Sequence, residues 1–119
     1  MDTSVWVDHL RAGSPLLARL LDSGSVLTHP CVVGELALGN IRRRETVLNA
    51  LMGLPQARMA SDAEVLHFVD RNTLFGRGIG YVDAHLLAAT RLTTGAALWT
   101  RDKRLQAAAS SLGLAFQTA

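Results

Sequence analysis

At 119 residues, 49% hydrophobic and 18% charged, the chain has the composition of one folded domain, long enough to bury a core without staples. No run of about 18 uncharged apolar residues occurs, which excludes a membrane-spanning helix, and the Met1-Asp2-Thr3 start lacks the basic-then-apolar profile of a secretory signal. A cytoplasmic location is therefore expected, and a formal charge of +2 is too small to diagnose a nucleic-acid binder by itself.

In chain order, Asp2 closes a very short strand end, and Val5, Trp6 and Leu10 lie near helical spacing up to Gly13. Ser14 and Pro15 form an N-cap and first-turn pair that opens a second helix, with Leu16, Leu17, Leu20 and Leu21 as its apolar stripe. Residues 25–28 read as a short strand. The segment from Cys31 to Leu38 reads as an apolar helix interrupted by one acid, Glu35. Cys31 is the sole cysteine, which rules out an intrachain disulfide and a cysteine-rich zinc site, and its valine neighbours predict a buried thiol.

Thr46 to Met52 is a further helix, and a brief strand is expected around Ala57-Arg58. Ser61 and Glu64 form a capping-box pattern opening a helix to about Asn72. Gly76, Gly78 and Gly80 punctuate a flexible loop. It lacks the spacing of a nucleotide-binding fingerprint and leads into a long Ala- and Leu-rich helix from Val82. A strand over 97–100, a helix over 103–112 and a strand over 114–116 complete the chain. Short apolar strands alternating with helices predict an α/β architecture with a mainly parallel sheet. No repeat or linker divides the chain, so residues 1–119 are read as a single domain.

Four acids fall where such a sheet would gather them. Asp2 precedes the first helix, Glu35 lies in the helix after the 25–28 strand, Asp83 enters the long helix, and Asp102 follows the 97–100 strand. In open parallel sheets the functional crevice lies beyond the carboxyl ends of the strands. Carboxylates brought together there would repel, and a hard divalent cation such as Mg²⁺ or Mn²⁺ resolves the conflict with oxygen ligands. It also supplies the electrostatics for phosphodiester hydrolysis. Each acid has an ordinary structural use as well: Asp2 as an N-cap, Asp83 as a first-turn acid, Asp102 as a turn residue. Glu35 is harder to explain that way, because an unpaired acid in an apolar run is costly if buried.

The segments Asp2-Thr3-Ser4-Val5-Trp6, Val33-Gly34-Glu35-Leu36, Tyr81-Val82-Asp83-Ala84-His85 and Leu98-Trp99-Thr100-Arg101-Asp102 together resemble PIN domains, above all the VapC toxins of bacterial toxin–antitoxin pairs. The resemblance implies a three-layer α/β/α sandwich around a mainly parallel sheet, here with its first strand truncated because only Met1 precedes Asp2. It further implies a Mg²⁺- or Mn²⁺-dependent endoribonuclease that cuts tRNA, rRNA or mRNA to inhibit translation. Asp2, Glu35, Asp83 and Asp102 fall on the family's acidic positions, with Ser4 and Thr100 as supporting hydroxyls. A homodimer silenced by a VapB-type antitoxin is implied too.

Arg101, Lys103 and Arg104 adjoin Asp102 and are placed to meet an RNA polyanion, and Arg43 in the Arg42-Arg43-Arg44 group is a further candidate. Trp6 and Trp99 read as core residues, His85 as an ordinary helix position, and Asp62 and Glu64 as capping or surface groups. Two other functions compete. A PIN nuclease of RNA processing or DNA repair would carry the same acids, whereas a non-catalytic PIN-like binding module would have no need to keep all four.

Overall fold

The computed structural model describes residues 1–117, so the last two residues of the expected 1–119 domain lie outside the described residues. The chain divides into two compact units: Met1 with residues 3–56, and Asp2 with the residues from Ala57 onward.

The first unit carries α1 (Thr3–Ala12), α2 (Pro15–Asp22), α3 (Pro30–Leu38) and α4 (Arg44–Met52). Each start has a local cause. Ser14 caps α2 by accepting the Leu17 N–H at 3.2 Å, with Pro15 at the first helical position. His29 caps α3 through Nδ1, which accepts the Cys31 N–H at 3.0 Å, and Pro30 then pre-sets the helical φ. The end of α3 is held from outside, because the Arg44 guanidinium donates to the Ala37 carbonyl at 2.9 Å. Such a donor satisfies an orphan carbonyl of the last turn. Val5, Trp6, Leu17, Val32, Leu36 and Leu51 are buried, and α3 packs against both α1 and α4. Cys31 is only partly buried, short of the expected burial, because it sits in the first turn of α3.

The second unit carries α5 (Asp62–Arg71), α6 (Tyr81–Leu92) and α7 (Lys103–Ser111). The capping box forms as expected: Ser61 Oγ accepts the Glu64 N–H at 3.1 Å and Glu64 Oε1 accepts the Ser61 N–H at 2.9 Å. Small residues let α5 and α6 approach closely, since Ala60, Val65, Ala84 and Ala88 form one buried cluster with Phe68 and Val69 against it. Arg91 ties the far end of α6 down, donating to the Leu112 carbonyl at 3.1 Å with its guanidinium 5.9 Å from the Phe68 ring centre.

The expected α/β/α sandwich is not what forms. Among the described residues the architecture is helical, and pairing is limited to two isolated parallel bridges, Thr28 with Gln56 and Leu98 with Ala115. Each predicted strand segment takes part in at most one such pair. In the second bridge, Leu98 donates to the Leu114 carbonyl at 2.7 Å and Phe116 donates to the Leu98 carbonyl at 2.9 Å. The brief strand expected at Ala57-Arg58 makes its bridge one residue earlier, at Gln56. A parallel sheet gains its stability from strands paired on both sides. Asp2 contributes one backbone bond, its N–H donating to the Trp99 carbonyl at 2.9 Å.

Two contacts join the glycine loop before α6 to α7. Arg77 donates to Ser111 Oγ at 3.2 Å. Arg104 lies so close over Gly78 that a Cβ there would sit 2.8 Å from Nη1 and 2.9 Å from Cδ. Gly78 also has φ +76, where an L side chain costs about 1 kcal/mol. Gly78→Ala is therefore expected to lower the melting temperature by about 4 °C and to displace Arg104. A thermal scan and the proteolytic nicking rate of the loop check this, and an unchanged value for both would refute it.

Candidate active site

The carboxylates predicted to act together divide between the units. In the second unit, Asp2 is buried with 7% exposure, as is Thr100. The Thr100 hydroxyl donates to Asp2 Oδ2 at 2.7 Å and accepts the Asp102 N–H at 3.0 Å. One side chain thus ties the first acid of the chain to the backbone of the last. Asp102 is the N-cap of α7, and its Oδ1 accepts from Arg104 N–H at 2.9 Å and Leu105 N–H at 3.0 Å. Both cap bonds fall on one oxygen, so the second carboxylate oxygen carries none of the cap. Asp83 is half-buried in the first turn of α6, and its Oδ2 accepts the Gly80 N–H at 3.0 Å.

In the first unit, Glu35 is exposed on α3. The burial argument for its special status therefore does not apply: Val32 and Leu36 are buried, while Glu35 shares an exposed side of the helix with Leu38. Its partner is Thr3, whose hydroxyl donates to Oε1 at 2.6 Å. Thr3 was not singled out by sequence, whereas Ser4 was; Ser4 is half-buried in the first turn of α1. The signal that could have found Thr3 is its place on the i, i+4, i+7 stripe with Val7 and Leu10.

Among the described residues no three of His, Cys, Asp and Glu come together as a group able to hold a metal ion. The donor set nevertheless suits a hard divalent cation in kind, being carboxylates and supporting hydroxyls without thiolate or imidazole.

The basic candidates are all exposed. The Arg101 guanidinium lies 6.0 Å from the Trp99 ring centre, Lys103 opens α7, and Arg104 is committed to packing on the Gly78 backbone. Arg43 precedes α4 with left-handed backbone, φ 52.

A second polar cluster escaped the sequence reading. Asp62 Oδ1 accepts the Tyr81 hydroxyl at 2.7 Å and lies 2.9 Å from His85 Nε2, and the Tyr81 and His85 rings meet edge-on at 4.8 Å. These two residues flank Asp83 on α6, so α5 grips the turn that carries it. The Tyr81 hydroxyl first, then His85, hold the Asp62 carboxyl below its usual 3.8. A depressed folded-state value means that the stabilisation is present above about pH 4 and lost as pH falls through the folded value. Asp62→Asn is accordingly expected to be less stable than wild type at pH 7, with the gap narrowing by pH 3. Urea titrations at both pH values check this, and a constant gap would contradict it.

The PIN domain family profile matches residues 1–110. The chain belongs to the PIN-domain family. Two curated relatives, each named Ribonuclease VapC32 and from two strains of Mycobacterium tuberculosis, are 50% identical over 115 residues, covering 97% of this chain and 93% of theirs. That likeness places this PIN domain with the VapC-type ribonucleases. No solved structure matches it. Among the described residues no helix is long and apolar enough to cross a membrane.

Proposed function

We propose that this PIN domain, residues 1–119, is a cytoplasmic endoribonuclease dependent on Mg²⁺ or Mn²⁺ and the toxin of a VapBC-type pair. It would cut tRNA, rRNA or mRNA and act as a homodimer silenced by its own VapB-type antitoxin. The observation that carries the reading is the Thr100 hydroxyl joining the buried Asp2 carboxylate to the Asp102 backbone. A carboxylate is costly to bury, so a buried one oriented by a hydroxyl supports a role in binding positive charge. The 50% identity to Ribonuclease VapC32 supports the same reading.

Asp2, Glu35, Asp83 and Asp102 would hold the cation, which when bound polarises the phosphodiester and lowers the pKa of an attacking water. The protein's own part is positioning. Thr100 orients Asp2, Thr3 orients Glu35, and the cap bonds of Asp83 and Asp102 fix the first turns of α6 and α7. Arg101, Lys103 and Arg43 would meet RNA phosphates, with Arg104 contributing from its place over the loop. Induced expression of wild type and Asp83→Ala, with RNA ends mapped in both, tests the proposal. Growth arrest and new RNA ends are expected only in wild type. Equal arrest in both would favour a binding module that acts through its partner, and would sink the enzymatic reading.

A further inference from the structure

Beside Glu35 the first unit contains a cleft of about 520 Å³. Its volume is within the range of small-ligand sites, about 300–1,000 Å³. One wall is the stripe of α1 that begins at Thr3 and runs through Val7 and Leu10 to Arg11. Opposite stand Glu35 and Leu36 of α3, and residues 39–42 of the turn before α4 close the end.

The lining is of two kinds. Val7, Leu10, Leu36 and Ile41 make apolar walls, and Val7 and Leu10 remain 39% and 38% exposed. Around them stand the exposed Arg11, Asn40 and Arg42. A purely apolar groove would suit the face of an amphipathic helix, but here four apolar residues are interrupted by two guanidiniums and an amide, with the Glu35 carboxylate and Thr3 hydroxyl at one end. An unpaired nucleotide has that composition: flat apolar faces, a hydrogen-bonding edge, and an anionic chain on either side. The apolar walls take the base faces, the Asn40 amide offers both a donor and an acceptor to the base edge, and Arg11 and Arg42 complement the phosphates.

We propose that this cleft is the recognition pocket for one unpaired RNA nucleotide adjoining the scissile phosphate, with Val7 and Asn40 as its specificity-determining residues. The proposal rests on the reading of Glu35 as part of the cation site. It adds what that reading lacks, which is a reason for the enzyme to choose where it cuts.

The test uses the full chain with Mn²⁺ and a pool of short single-stranded RNAs of random sequence, with the cut ends sequenced. Wild type is expected to show a base bias at a nucleotide flanking the cut. Val7→Phe, which fills the cleft, and Asn40→Ala, which removes the edge contact, are each expected to flatten that bias by about tenfold. The ratio of cleavage of intact RNA to cleavage of an RNA with an abasic ribose at the biased position should fall towards one in both variants, whereas a misfolded fraction would scale both rates and leave that ratio at its wild-type value. Cleavage by wild type with no bias, or a bias untouched in both variants, would overturn the pocket while leaving the nuclease reading intact. A retained bias, combined with escape of Val7→Phe from a co-expressed neutralising protein, would assign the cleft to that protein and overturn the proposal. Absence of cleavage by wild type would overturn both readings together.

Discussion

Asp83→Asn is expected to lower RNA cleavage by about 10²–10³-fold, the equivalent of losing roughly 3–4 kcal/mol of transition-state stabilisation, while leaving the fold close to wild type. The two halves of that expectation come from different atoms of one side chain. Structurally, Asp83 Oδ2 accepts the Gly80 N–H at 3.0 Å and so closes the first turn of α6. An asparagine carbonyl oxygen can accept the same bond. What it forfeits is negative charge near a helix N-terminus, worth about 0.3–1 kcal/mol at a surface position. The brace from Asp62 to Tyr81 and His85 is untouched. Chemically, the amide cannot offer a charged oxygen to a divalent cation, and high Mn²⁺ should restore part of the rate if cation binding is what was lost. Steady-state kcat/KM across a Mn²⁺ series, beside a thermal melt, separates the two. A variant that keeps more than a tenth of wild-type activity would remove Asp83 from the cation site. Asp83→Ala is a poorer probe, because it loses the Gly80 bond together with the charge.

The way this chain could be read from its sequence follows the range of the interactions involved. Caps are decided within three or four residues, and two were legible: Ser14 before Pro15 and Ser61 with Glu64 both form. Asp83 sits in the first turn of α6 as its ordinary reading had it, whereas Asp102, read as a turn residue, is the N-cap of α7. A cap and a cation ligand are not exclusive uses, because Asp102 spends only one oxygen on its cap. Pairing between strands is decided by residues far apart, and there the periodicity misled. The segments 97–100 and 114–116 do meet, yet through one bridge and not a ladder, so the expected sheet gives way to a helical architecture. The same limit hid Asp62, whose partners lie 19 and 23 residues away, and Thr3, whose partner Glu35 lies 32 away. Nothing local marks Asp62 as more than a first-turn acid. Arg104 shows a long-range determinant of the same kind: its charge next to Asp102 suggested RNA, and the absent side chain of Gly78 decides where its guanidinium lies.

Thr100→Val should cost about 2–3 kcal/mol of stability and weaken activity at limiting cation by about 10–100-fold, whereas Thr100→Ser should retain most of both. Valine keeps the shape of threonine and removes only the hydroxyl, so packing in this site, 7% exposed, is nearly unchanged. Two bonds go together: the one donated to Asp2 Oδ2 at 2.7 Å and the one accepted from the Asp102 N–H at 3.0 Å. Depriving a buried polar group of its partner costs about 1–3 kcal/mol, more when the group is charged, and the partner here is a carboxylate. Groups that orient metal ligands typically change metal affinity or activity by about 10–100-fold when removed. Serine loses a methyl, worth about 0.8 kcal/mol, but keeps both bonds. The two variants therefore split hydroxyl from packing, with melting temperature and the Mn²⁺ concentration for half-maximal cleavage as the readouts. If Thr100 served only the fold, Thr100→Val would melt lower with an unshifted Mn²⁺ midpoint. If it orients Asp2 toward a cation, the midpoint moves upward in Thr100→Val and returns in Thr100→Ser, and that return is what a packing role could not produce.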